Sequence, residues 1–335
     1  MTPVELSRTV LRAVRRAVDD GELSVTVPER AVVGEPGPGG CGDFATTIAL
    51  QLARPAGQTP RRVAEILRPR LADTAGIRDV VVTGPGFLNI TLAAQADPVG
   101  ALVREILEEG VRYGHGDGLA GQVVAVRVPY EVRAEVVADA VVRLVAAQGG
   151  RATVEHGEPA DLRPVPAPED PAPLGPDAAR WALLHPAPHD RPRISADHLV
   201  QREGNPLFRV RYAHALVRSL GRNAGRLGFT AVPGPVEAAG DGVPDGGHDL
   251  RPLLVSLADH PRILAAAATH RAPDRVARHL VTVADAVLPF LPRVLPRGDE
   301  KPSAAHRARL ALAEAAGTVL AGGLSLLGID APEHL

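Results

Sequence analysis

Apolar residues recur at Val4, Leu6, Val10, Leu11, Val14 and Val18, with Arg8, Arg12, Arg15 and Arg16 between them. These mixed three- and four-residue spacings predict an amphipathic helix over Pro3 to Asp19. Leu23 to Val33 is rich in β-branched residues and predicts a strand, followed by a Pro/Gly loop from Gly34 to Gly42. Asp43 is placed to cap a helix running through Phe44, Ile48, Leu50 and Leu52 until Pro55 stops it. A helix is expected over Pro60 to Leu71, then two strands, Ile77 to Thr83 and Phe87 to Leu92, around the turn Gly84-Pro85-Gly86, then a helix over Pro98 to Glu109. Gln122 to Val128, Glu131 to Gln148 and Arg151 to Glu155 read as strand, helix and strand. Seven prolines between Pro159 and Pro176 forbid a continuous helix or central strand there. From Asp177 onward the pattern is helical, interrupted by a Gly/Pro/Asp loop between Val232 and Arg251.

This order predicts an α+β fold: a small N-terminal α+β domain with an antiparallel sheet and a C-terminal all-α helical bundle. The expected boundaries are 1–113 for the first domain, 114–158 for a strand-helix-strand connector, 159–176 for a proline-rich linker and 177–335 for the bundle. The 335 residues are 45% hydrophobic and 23% charged, enough for two domains with cores of their own. The formal net charge of −2 supplies no global field toward nucleic acid or anionic lipid, so any such binding needs a local patch. Cys41 is the sole cysteine, which excludes an intrachain disulfide and a multi-cysteine metal site and suits a reducing cytoplasm. Uncharged stretches such as Ala315 to Ile329 fall short of a membrane span, and Glu5 and Arg8 spoil a secretory signal.

Most catalytic and cofactor chemistry lacks its residues. Gly37-Pro38-Gly39-Gly40-Cys41-Gly42 fits G-x-G-x-x-G, but Pro38 removes a phosphate-cradling N–H and no acid follows at a strand end. The one lysine, Lys301, follows Glu300 rather than glycine, so there is no Walker-type loop. His185 and His189 are four apart, yet Pro186 and Pro188 break the helix that would align them as metal ligands. No serine sits in G-x-S-x-G, and Cys41 has no neighbouring base. The expectation is no cofactor, no metal and no catalytic residue.

Leu199 to Gly228 differs. It carries Arg202, Arg209, Arg211, Arg218, Arg222 and Arg226 against one acid, Glu203. Arg211, Arg218, Arg222 and Arg226 are spaced seven, four and four, one stripe of a helix beginning near Pro206, and Phe208 and Tyr212 lie on an adjacent stripe. Guanidinium groups beside aromatic rings offer phosphate contacts and a stacking surface for unpaired bases. An arginine-coated helix with Phe208 and Tyr212 in its core is the competing reading of the same residues.

Three stretches resemble arginyl-tRNA synthetase. Gly42-Asp43-Phe44-Ala45-Thr46-Thr47-Ile48-Ala49-Leu50-Gln51-Leu52-Ala53 and Gly84-Pro85-Gly86-Phe87-Leu88-Asn89-Ile90 are similar to that family's N-terminal additional domain, which contacts the outer corner of tRNA. Asn205-Pro206-Leu207-Phe208-Arg209-Val210-Arg211-Tyr212-Ala213-His214-Ala215 resembles the N-P-x-Y-Y-V-Q-Y-A-H-A-R helix of its anticodon-binding domain. Leu326-Leu327-Gly328-Ile329-Asp330-Ala331-Pro332-Glu333-His334-Leu335 resembles its terminus. The class I catalytic signatures are missing: among twelve histidines no two are three apart as H-x-G-H requires, and one lysine cannot supply K-M-S-K-S. Val123 to Val128 and Asp139 to Gly149 resemble the first catalytic strand and helix without the loop that should join them.

The resemblance implies a cytoplasmic protein that binds tRNA, arginine tRNA first among candidates, and does not charge it. It implies phosphate contacts from Arg211, Arg218 and Arg222, stacking by Tyr212 and Phe208, packing by His214, and contacts to the tRNA corner from Phe87 and Asn89. Arg209, Arg211 and Leu216 depart from the family pattern, favouring phosphate over base recognition. Two alternatives stay open: a protein-binding module that partners a full-length synthetase, and residual arginine–tRNA ligase activity.

Overall fold

The structure, a computed structural model, describes residues 3–34, 36–37, 40–93, 97–236 and 249–335. It forms two compact units, 1–96 and 97–335. In the first, α1 (Pro3–Asp19) buries Leu6, Val10 and Val14, the apolar stripe that the spacing predicts. Strands β1 (Val33–Gly34), β2 (Phe44–Thr46), β3 (Ile77–Thr83) and β4 (Phe87–Leu92) make an antiparallel sheet in the order β1-β2-β4-β3. Helices α2 (Ile48–Ala53) and α3 (Pro60–Ala72) complete the core, with Thr59 capping α3 by accepting the Arg62 N–H at 3.3 Å.

Two local expectations fail here. The strand expected over Leu23 to Val33 shrinks to Val33–Gly34, because Pro28 has no N–H for a ladder and the preceding residues bury side chains instead: Leu23 and Ala31 enter the core. The helix expected from Asp43 begins at Ile48. Asp43 instead faces β4, its N–H donating to Ile90 O at 2.9 Å and its carboxylate accepting from Leu92 N–H at 2.8 Å, so Phe44 is drawn into the sheet. Residues 38–39 of the G-x-G-x-x-G segment lie outside the described residues.

The second unit contains α4 (Pro98–Glu109), β5 (Val123–Val128), α5 (Val132–Ala147), β6 (Arg151–His156), α6 (Gly175–Leu184), α7 (Pro206–Arg226), α8 (Arg251–Thr269), α9 (Asp274–Val287) and α10 (Ala304–Leu326). Helix α4, expected with the first region, places Val103 and Ile106 in this second core. Strands β5 and β6 pair in parallel, with α5 as the crossover. The antiparallel sheet and helical C-terminal region agree with the expected fold class. Of the loop between Val232 and Arg251, residues 237–248 lie outside the described residues.

The proline-rich stretch is extended but docked. Leu162 and Leu174 are buried in the second core, and the Val165 N–H donates to Pro188 O at 2.8 Å. Its main anchor is Arg133 in the first turn of α5, a guanidinium with no exposed surface. Nε donates to Leu183 O at 3.0 Å, Nη1 to Val165 O and Asp190 O at 2.7 Å each, and Nη2 to Pro186 O at 3.1 Å and Ala187 O at 2.9 Å. A planar fork of donors thereby ties α5 to the proline-rich stretch and the turn after α6.

Behind α8 and α9 lies a column of rings. Tyr113 stacks on His260 with centroids 5.9 Å apart, and His260 on His279 at 5.2 Å. Burial drives both imidazoles toward the neutral form, His260 far below its ordinary value and His279 from 6.5 to about 4.

Two measurements follow from these buried groups. Arg133→Ala orphans several carbonyls, so it should lower the unfolding free energy of the full chain by roughly 3–5 kcal/mol; a urea midpoint within error of the parent would contradict the anchoring role. The unfolded His279 gains a proton near its ordinary pKa while the folded ring resists until about pH 4. Stability should therefore hold above about pH 6.5 and fall toward pH 4, His279 contributing about 3 kcal/mol of the loss. The urea midpoint against pH should flatten over that window in His279→Leu, and an unchanged slope counts against this origin.

Candidate nucleic-acid interface

Asn205 fixes where α7 starts. Its side-chain oxygen accepts the N–H groups of Leu207 at 3.1 Å and Phe208 at 3.4 Å, and its amide donates to His198 O and Val200 O at 2.9 Å each. Pro206 follows at a position where no N–H is needed. Val210, Ala213 and Val217 face the core, which sets the arginine stripe on the outer side. The aromatic pair lies beside it: Phe208 and Tyr212 stack at 5.5 Å with 19° between planes. Tyr212 is 43% exposed, and half-buried Phe208 borders a hollow of about 270 Å³ together with Leu199, Val200 and Leu335.

The four arginines of the stripe have different surroundings. Arg211 is largely buried, paired with Asp177 in the first turn of α6 and donating to Asp330 O at 3.1 Å, so it holds the fold together. Arg218 is half exposed and pairs with Glu333 at 2.8 Å. Arg222 lies 3.9 Å from the same carboxylate and donates to Glu333 O at 3.4 Å and His334 Nδ1 at 3.3 Å. Arg226 is exposed at the end of the helix, bonded to Asn223 Oδ1 at 3.4 Å. Off the stripe, Arg209 pairs with Asp285 of α9 at 3.0 Å.

The C-terminal tail therefore runs along α7. His214 Nδ1 lies 3.0 Å from Pro332 O, and burial lowers the affinity of this imidazole for a second proton although the Pro332 contact opposes the effect. The hydrogen bond from Arg218 holds the Glu333 carboxyl below its ordinary range, so the tail stays anionic near neutrality. No spacing rule links the tail to residues over a hundred positions earlier.

In the first unit, Phe87 and Asn89 lie on β4 but have different surroundings. Phe87 is 37% exposed, whereas Asn89 is buried and donates to Thr83 Oγ1 at 2.6 Å and Val81 O at 3.4 Å while accepting the Cys41 N–H at 3.4 Å. Asn89 thus shapes the turn, while Phe87 keeps part of its ring at the surface. Among the described residues no group of three or more His, Cys, Asp or Glu is placed to hold a metal, and no helix is long and apolar enough to cross a membrane. His185 stacks on Trp181 at 5.2 Å.

Comparison with known proteins matches this layout. Residues 5–92 fit the family described as arginyl tRNA synthetase N terminal domain, and residues 210–335 the DALR anticodon binding domain. The arginine–tRNA ligase of Frankia alni is 48% identical over 115 residues, covering 34% of this chain and 20% of that protein. That of Renibacterium salmoninarum is 44% identical over 169 residues, covering 47% of this chain and 30% of that protein. The chain thus spans only 20% to 30% of the length of these relatives. The solved arginyl-tRNA synthetase of Thermus thermophilus, 15% identical, aligns over 100% of both chains with a TM-score of 0.60, a likeness of fold. The chain carries an arginyl-tRNA synthetase N-terminal domain and a DALR anticodon-binding domain and is a relative of the arginine–tRNA ligases.

Proposed function

We propose that this chain is a cytoplasmic tRNA-binding protein that grips tRNA without charging it. The observation that carries the reading is the outer face of α7, where Arg218, Arg222 and Arg226 are exposed along one stripe and the ring of Tyr212 is exposed toward the start of the same helix, inside a DALR domain. Arg218 and Arg222 bind phosphates of the anticodon stem-loop, and Tyr212 and Phe208 receive an unpaired base, Phe208 through the adjoining hollow. Arg211 acts by holding the tail and α6 in place. Phe87 in the first unit meets the tRNA corner. Arginine tRNA is the first candidate, on the strength of the relatives.

Two features support binding without charging. The sequence contains neither H-x-G-H nor the lysines of K-M-S-K-S. In addition, the N-terminus of α5, where a phosphate would find free N–H groups, is filled by Glu131, whose carboxylate accepts from Arg133 N at 3.1 Å and Ala134 N at 2.9 Å.

Gel shifts with arginine tRNA across a salt series test the proposal. Binding should weaken steeply with salt. Arg218→Ala with Arg222→Ala should lower affinity by about tenfold or more and reduce the slope of log affinity against log salt by about 1 to 2. Glu333→Ala removes the competing carboxylate and should raise affinity about two- to fivefold. No binding at low salt, or an unchanged double variant, rejects the interface. Arginine-dependent pyrophosphate exchange would instead reveal residual ligase chemistry.

A further inference from the structure

The β5–β6 sheet has two outer edges, and among the described residues only one is covered. On the outer side of β5, the N–H groups of Asp161 and Leu162 donate to Arg127 O at 2.9 and 3.2 Å, and the Asp161 carboxylate accepts the Arg127 N–H at 3.3 Å. On β6 no such cover exists among the described residues. The bonds from Arg151 N to Gln122 O and from Gly157 N to Val128 O, both 3.0 Å, turn the odd-numbered residues of β6 toward β5. In a parallel pair this points the main-chain groups of Ala152, Val154 and His156 to the open edge. Among the described residues those groups make no hydrogen bond to another element. Every residue of β6 except Ala152 is exposed, and no proline or bulge blunts the strand.

We propose that β6 is the docking edge for a second copy of this chain, the two strands pairing antiparallel about a two-fold axis through Thr153. The occupant is identified by charge. In this register Arg151 opposes Glu155 of the second copy, Ala152 opposes Val154, and the outward main-chain groups of Ala152 and Val154 face their counterparts as reciprocal hydrogen-bonded pairs. Moving the axis to Ala152 or Val154 sets one charge against Thr153, and moving it to Arg151 or Glu155 sets like charges face to face. One register satisfies both ion pairs.

The surrounding residues reinforce the fit. Arg151 is exposed and enters no ion pair among the described residues. Arg127, opposite Glu155 in the parallel pair, lies 4.0 Å from that carboxylate. Pairing would set Glu155 between two guanidinium groups, Arg127 of its own copy and Arg151 of the other, on the sheet face away from α5. On the other face, Val154, 39% exposed, would cover Ala152 of the second copy. The product is a four-stranded sheet, a more stable unit than two isolated strands. Its contact area is small, so the dimer belongs to the weak, concentration-dependent class.

Sedimentation of the nuclease-treated full chain, from low micromolar to several hundred micromolar, should show a monomer–dimer equilibrium. Arg151→Glu alone and Glu155→Arg alone each set two pairs of like charge in contact and should weaken dimerisation by at least about tenfold. Mixing these two variants restores opposite charges at both positions, and a heterodimer should form at the parent's affinity. In a Cys41→Ser background, Thr153→Cys should give a disulfide-linked dimer on oxidation and Ala152→Cys should not, since only residue 153 meets itself. A monomer at every concentration, a dimer indifferent to the reversals, failure of the mixture to associate, or cross-linking through residue 152 rather than 153 would overturn the proposal.

Discussion

A buried guanidinium on α5 determines how the second unit is assembled. Taking Arg133 out of water costs several kcal/mol unless its donors are satisfied. Five carbonyls satisfy them, one from the proline-rich stretch, one from the end of α6 and three from the turn after it. Lysine would bring three donors on a flexible stem, too few and wrongly arranged. The strand-helix-strand segment, which looks dispensable as a fragment of a larger sheet, is thereby joined to the helical bundle: without α5 those carbonyls would be buried and unpaired. The constraint then propagates. Fixing the end of α6 fixes its first turn, where Asp177 holds Arg211, and Arg211 in turn sets the tail against α7.

Helix α10 supplies the second condition, close approach. A Cβ on Gly317 would lie 2.8 Å from a Val217 methyl, one on Gly322 2.7 Å from Val111 O, and one on Gly323 2.4 Å from a Leu280 methyl. The first of these contacts lets α10 nest against α7, and the third against α9. A glycine in a helix interior costs roughly 0.5–1 kcal/mol relative to alanine. At Gly322 the neighbour is main chain and cannot rotate away, so the loss of propensity is offset by packing that no larger residue permits. The arginine stripe is exposed because the opposite face of α7 is packed this closely.

Where local periodicity decided structure, the sequence was legible: α1, the β3–β4 hairpin around Gly84-Pro85-Gly86, the β5-α5-β6 unit, and α7 with its Asn205-Pro206 start all stand at or near their expected bounds. What escaped was set by distant partners. Asp43 has a cap-forming side chain, but β4 offered both a carbonyl and an N–H and won. The prolines of 159–176 forbade a continuous helix or central strand without saying that Val165 O, together with carbonyls of residues 183–190, would be gathered by Arg133. At the site, spacing placed the four arginines on one face correctly, yet it could not separate Arg211, which is consumed by the fold, from Arg218 and Arg222. Asn89 sits in a motif that fits a ligand contact, and its amide is spent on Thr83 and Val81 instead.

At the proposed interface the tail makes RNA affinity a difference rather than a sum. Arg218 and Arg222 are exposed, so their contact with Glu333 contributes only on the order of 0.2–1 kcal/mol. A phosphate in the same place also releases condensed counterions from the nucleic acid, a gain the carboxylate does not have. RNA should therefore displace the carboxylate at moderate salt. It need not displace the tail, since Asp330 and Pro332 are held through their main-chain carbonyls by Arg211 and His214. Only the last residues have to swing aside. Being tethered, Glu333 competes at a fixed effective concentration whatever the amount of RNA. Salt screens the exposed tethered pair as well as the phosphate contacts, so the carboxylate lowers affinity most at low salt and makes the loss of binding with salt shallower. One carboxylate offsets only part of the charge of two guanidinium groups, and the net positive charge left favours a polyanion able to engage several arginines at once.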